Sequence, residues 1–208
     1  MDTENNATKK AVQGNAEKYD LFKLHLARFK KARQQEFYFE MLWILYAMFE
    51  DRTSAFLYYI GFVTENRQKV VAAKNIQQSI RGVLGFGEKA NVDFGTLNNK
   101  TTAIKKATAW AQKGAAADDF QKELKVLMNR KPINSPEFVK FLDEIDYWRN
   151  KRNELTHALF SVSNYETVKD LKPLTEQGYE LARALDKAVG ALRLRSRKNN
   201  IREKFNLK

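Results

Sequence analysis

Apolar residues in this sequence recur at spacings of three, four and seven, the rhythm of helices that bury one face. Tyr19, Phe22, Leu26 and Phe29 define such a face on a segment opening at Ala16, with Lys23, Lys30, Lys31 and Arg33 mainly on the others. Residues 36–60 read as the long central hydrophobic helix, either continuous with the first or directly after it. Its aromatics, among them Phe37, Trp43, Tyr46, Phe49 and Phe56, lie on more than one face, so neighbours are expected on several sides. Aromatics at helical spacing suit a core, although interleaved aromatics also stack bases. Residues 67–83 read as the next helix, brought to a close by Gly82, Gly85 and Gly87. Residues 85–99 form the least regular stretch, a connecting loop or a lid. Its Gly85-Phe86-Gly87 has neither the preceding strand nor the following GKS/T that a phosphate loop needs. Helices over residues 101–113 and 118–130 precede a break at Lys131-Pro132-Ile133-Asn134. After a turn at 161–164, residues 165–172 read as a short helix or flap ended by Pro173, and residues 174–197 as the final helix. No internal repeat is present.

The helix before that turn carries the chemistry. Ser135 suits an N-cap, Pro136 the first helical position and Glu137 the positive end of the dipole. Phe138, Phe141, Ile145, Trp148, Leu155 and Leu159 mark one buried stripe, and the place between Trp148 and Leu155 belongs to Arg152. A guanidinium on an apolar seam needs an anionic partner once it is desolvated. Arg149, Asn153 and His157 follow one another at four-residue intervals in a neighbouring row. The plainer reading of such a pair is a structural arginine and a surface histidine. Glu50 and Asp51 interrupt the apolar central helix, and a charge there is costly unless paired. They are candidate acidic supports for Arg152 or His157, or else members of a local ion pair with Arg52. His25 sits between Leu24 and Leu26 with no carboxylate or second histidine at metal-ligand spacing, and reads as structural.

The run Arg152-Asn153-Glu154-Leu155-Thr156-His157 resembles the arginine–polar–x3–histidine motif of HEPN domains. The resemblance covers these six residues and, beyond them, the all-helical architecture. It implies an all-α fold: a HEPN-like helical bundle with a long central hydrophobic helix and a basic C-terminal tail. It implies a metal-independent endoribonuclease, paired as a homodimer, with the biological role of a growth-inhibiting toxin or antiphage effector. The catalytic set is then Arg152, Asn153 and His157, with Arg149 as a further phosphate contact. RNA supplies its own nucleophile, the 2′-hydroxyl. His157 is the group able to exchange protons near neutral pH, and Arg152 offers a forked set of donors for the phosphorane. Pairing is expected through the seam of Trp148, Arg152 and Leu155, because one motif histidine per chain is too few for acid and base roles. The alternative is a non-catalytic HEPN-like module that binds RNA, a nucleotide or a protein.

Composition narrows these readings. The chain has 208 residues, a formal charge of +12 and no cysteine. Disulfides, thiolate metal sites and cysteine nucleophiles are excluded, and a reducing cytoplasmic location is expected. The positive excess favours RNA, or an acidic antitoxin or regulatory protein, as partner. Half of it lies in residues 193–208, where Arg193, Arg195, Arg197, Lys198, Arg202, Lys204 and Lys208 face Glu203 alone. That tail reads either as solvated or as a phosphate-contacting arm, with Arg193, Arg195, Arg197 and Lys198 as candidate substrate contacts. The expected organisation is a disordered lead-in over residues 1–15, one helical domain over 16–192 and the tail over 193–208. The longest apolar run, residues 41–49, is too short to span a bilayer, so no membrane association is expected. No cofactor is expected, and no His/Cys cluster offers a metal site. A carboxylate-only magnesium site built from Glu50, Asp51, Asp143, Glu144 and Asp146 remains as the alternative.

Overall fold

Helices account for all the regular structure of the computed structural model, which describes residues 15–64, 69–158 and 164–207. They are α1 (Asn15–Gln34), α2 (Tyr38–Tyr59), α3 (Lys74–Leu84), α4 (Leu97–Lys113), α5 (Asp119–Met128), α6 (Pro136–Ala158), α7 (Asn164–Ser196) and α8 (Ile201–Lys204). The one strand-like pairing among the described residues is an isolated antiparallel bridge between Val63 and Val70. No helix among them is long and apolar enough to cross a membrane. The expected lead-in lies outside the described residues, apart from Asn15, which opens α1.

Local chemistry sets the boundaries. The Ser135 hydroxyl accepts from the Phe138 amide at 3.2 Å, so α6 starts where its cap and proline place it. Thr96 caps α4 and Asp118 caps α5 in the same way. Between α1 and α2 the chain reverses at Glu36, whose φ of 55° is left-handed, so the two helices are separate. Helix α3 starts later than its apolar pattern suggests. Val71 donates to the Phe62 carbonyl at 3.2 Å and Thr64 to that of Lys69 at 2.8 Å. These bonds hold Val70 and Val71 in an extended turn, a conformation that suits β-branched residues. The 85–99 stretch is a wall rather than a lid, since Val92 and Phe94 are buried and Phe94 stacks on Phe62 at 6.2 Å.

Pro173 does not end a flap; it lies inside α7. Leu171, Leu174, Gly178, Leu181, Leu185, Ala188 and Leu192 form one buried stripe through it. Burying each leucine contributes about 1.5–3 kcal/mol, which together outweighs the roughly 3 kcal/mol a helical proline costs.

Helix α2 packs against α1, α4 and α7, and α6 closes on α4 and α7. Helix α6 runs antiparallel to α2: Phe138 lies 6.0 Å from Phe56, and Trp148 lies 4.9 Å from Phe49. The Trp148 indole is wholly buried, and its Nε1–H donates to the Leu174 carbonyl of α7 at 2.8 Å.

The basic tail packs onto the bundle. Arg202 is buried and donates at 2.7 Å to the carbonyls of both Val63 and Leu207, with its guanidinium 4.1 Å from the Tyr58 ring centroid. Ile201 and Leu207 are buried, and Phe205 meets Phe120 edge-on. Asn200, which caps α8, and this apolar triplet explain why the end of a stretch that reads as a solvated tail or a phosphate-contacting arm folds back.

A Cβ added at Gly178 would stand 2.4 Å from Trp148 Nε1 and 2.7 Å from Cε2. The ring is rigid and enclosed, so overpacking costs about 1–3 kcal/mol or more, against the roughly 1 kcal/mol alanine gains in helix propensity. Gly178→Ala is therefore expected to lower the urea midpoint without changing the slope of the transition. A raised midpoint would show that the indole is not clamped against α7.

Candidate functional site

Four residues beyond Trp148, on the same face of α6, Arg152 is drawn under α2. It is 8% exposed. Its Cζ sits 4.4 Å from the Trp43 ring centroid and 4.8 Å from that of Tyr46. Nη1 donates to the Asn153 side-chain oxygen at 3.0 Å. Nε and Nη2 are buried and have no hydrogen-bond partner among the described residues. These two nitrogens share one edge of the guanidinium, the edge that takes a carboxylate or phosphate through two parallel bonds. Burial pulls the group below the ordinary arginine value, while Tyr46 opposes the shift. It nevertheless stays charged, as arginine does in proteins. The site is a desolvated cation whose bidentate edge has no match among the described residues.

The other motif residues differ in placement. Asn153 is half-buried and holds the third guanidinium nitrogen, whereas His157 is exposed on the last turn of α6. Arg149 is committed: it donates to Asn98 at 2.7 Å and pairs with Asp146 at 3.3 Å. Asp146 also accepts from Thr101 at 2.7 Å and from Lys105 at 2.6 Å, so this network ties α4 to α6. Trp148 cannot serve a pairing seam, because it is spent inside the bundle; Leu155 is half-buried.

Neither acidic candidate meets Arg152. Asp51 pairs with Arg52, which reaches across to Asp186 at 2.9 Å, as the local-pair reading has it. Glu50 pairs with Lys100 and accepts from the Tyr46 hydroxyl at 3.3 Å. Burial and the Glu50 charge raise the Tyr46 phenol, so it remains a neutral donor. Asp143 and Asp146 both bind Lys105. Among the described residues, no group of three or more His, Cys, Asp or Glu is placed to hold a metal.

Of the tail candidates, Arg193, Arg197 and Lys198 are exposed. Arg195 instead staples α7 to the α5–α6 connection through the carbonyls of Arg130 and Lys131.

The sequence reads His25 as structural, and the structure places it at a cavity. It lines a cavity of about 700 Å³ between α1, α2, α4 and the 93–95 loop, together with Trp43, Tyr46, Glu50, Phe94 and Lys100. Its Nδ1 is buried without a partner among the described residues. A signal was present: His25 falls between Phe22 and Phe29 at helical spacing, which points it inward.

Arg152→Met separates a structural arginine from a functional one. Methionine is shorter but of similar volume and can keep an S–aromatic contact of about 0.3–1.5 kcal/mol, comparable with the roughly 0.5–2 kcal/mol cation–π term it replaces. It also removes the desolvation cost of an unmatched charge. The melting temperature is expected to stay level or rise. A loss of more than about 1 kcal/mol, near the net worth of a typical hydrogen bond, would make Arg152 part of the scaffold.

No family model, curated protein or solved structure matches the chain. The likeness to HEPN domains therefore rests on the motif and its helical setting.

Proposed function

We propose that this chain is a HEPN-like endoribonuclease that cleaves RNA by attack of the substrate's 2′-hydroxyl, with no metal ion in the reaction. The observation that carries this reading is the unmatched edge of Arg152, formed by Nε and Nη2 in a water-poor setting. Preorganised donors in such a setting act most strongly on charge that develops during reaction. The phosphorane is such a charge. Its non-bridging oxygens suit the fork, while Asn153 keeps the guanidinium oriented from the opposite side. His157, exposed at the end of the same helix, moves protons. The 2′-oxygen forms a bond to phosphorus, the bond from phosphorus to the 5′-oxygen breaks, and a proton passes to that leaving oxygen. A formal charge of +12 favours a polyanion as partner.

Purified protein incubated with RNA and EDTA is expected to yield 2′,3′-cyclic phosphate and 5′-hydroxyl ends, and to leave DNA intact. His157→Ala is expected to slow cleavage by about 10²–10⁴-fold, the usual range for general acid–base catalysis. Cleavage at the normal rate beside a single 2′-deoxy residue would overturn the mechanism. RNA bound but never cut would leave Arg152 as a binding group only.

The proposal also pairs two copies of the chain, since a two-fold axis brings a second His157 to the cleft. With Trp148 buried, the exposed aromatic residues beside Arg152, Phe39 and Trp43, are the surface offered to the second copy. Light scattering at micromolar concentration is expected to give a dimer mass. A fully active monomer would remove the pairing.

A further inference from the structure

The cavity between α1, α2 and α4 shares two walls with the Arg152 site. Trp43 and Tyr46 line it, and the same two rings lie against the Arg152 guanidinium. We infer that this cavity is the recognition pocket for one nucleobase of the substrate, and that its polar groups select guanine. The inference rests on Arg152 as the phosphate contact and names what the neighbouring volume does.

Shape and lining come first. About 700 Å³ is room for a nucleoside, within the usual range of ligand pockets. Phe22, Trp43, Tyr46 and Phe94 give the walls aromatic rings, the surface on which bases stack. A purely greasy cavity would serve any flat apolar molecule. This one carries an ion pair on its wall: Glu50 and Lys100, the lysine side chain only 10% exposed.

That pair retains unused capacity. One Glu50 oxygen meets Lys100 and the other the Tyr46 hydroxyl, whereas a carboxylate has about four acceptor sites. Lys100 Nζ has Glu50 as its partner, and an ammonium carries three donors. An acceptor that can take two bonds therefore stands beside a donor. Guanine is the base whose pairing edge answers this: O6 accepts from Lys100, and N1–H and the 2-amino group donate to Glu50. Adenine, cytosine and uracil each offer the carboxylate one donor group on that edge. A site built around a hydrogen bond discriminates strongly against analogues that lack it, because its own buried group is then left unpaired. His25 adds a third polar group, its Nδ1 shielded from water and unmatched among the described residues. A polar ligand in the cavity would end that isolation.

The test uses free nucleosides and the full chain, so that neither Arg152 nor cleavage enters the readout. In isothermal titration calorimetry, guanosine is expected to bind at least about tenfold more tightly than inosine, the equivalent of about 1.4 kcal/mol. Inosine differs from guanosine only in lacking the 2-amino group. Adenosine, cytidine and uridine are expected to bind as weakly as inosine or less. Glu50→Gln should lower guanosine affinity by a similar factor and adenosine affinity by less. The guanosine–inosine comparison needs no variant, so it stands even if that substitution perturbs folding. Equal affinity for guanosine and inosine, or no binding of either, would overturn the pocket. Guanosine binding without RNA cleavage would keep the pocket and remove the nuclease. Cleavage indifferent to guanine would keep the nuclease and remove the pocket.

Discussion

The Trp148 indole holds α6 at one height and one rotation, and the site depends on it. The ring is pressed against Phe49 of α2, donates to the Leu174 carbonyl and lies over the bare backbone of Gly178. A helix advances about 1.5 Å and turns about 100° per residue. Four residues on, a side chain is thus roughly 6 Å further along and only about 40° around. That step carries Arg152 off the core proper and onto the faces of Trp43 and Tyr46. A different rotation would place the guanidinium in water, where its charge would be common and weak.

The way the molecule treats its other enclosed guanidiniums shows what is unusual about Arg152. Arg202 is matched by two carbonyls at 2.7 Å and by the Tyr58 ring. Arg52 is held by two aspartates, and Arg195 by backbone oxygens of the α5–α6 connection. Each of these reads as a clamp between elements, because every clamp has its acceptors in place. Arg152 has one neutral amide and two rings. Cation–π contact eases desolvation but supplies no acceptor for an N–H. A buried cation left this way is costly to keep.

Much of the helical order was legible in the sequence. The α6 start follows from Ser135 and Pro136, and the stripe ending in Trp148 and Arg152 follows from periodicity alone. The pattern also singles out Leu155, which is half-buried and packs against the core. Leu142, wholly buried, faces the core more squarely than Phe141 beside it, which is half-buried. Pro173 marks a break by its local stiffness, yet the leucine stripe running through it keeps α7 continuous. The cavity was illegible for a different reason. His25, Glu50 and Lys100 come from three helices, and no spacing along a chain announces groups that meet only after packing. Glu50 and Asp51 looked like one acidic feature, yet adjacent helical positions point about 100° apart, and they answer to different partners.

The folded-back C-terminal segment gives synthesis a direction that matters. The Val63 carbonyl, just past the end of α2, waits for Arg202, which lies 139 positions later. At about 5–20 residues per second a ribosome needs on the order of ten seconds to cover that distance. Throughout that interval the far end of the central helix has neither its guanidinium clamp nor the cover of Ile201 and Leu207 against Gly61. The growing chain thus holds its most apolar helix with one end uncapped until Arg202 and Leu207 have been made.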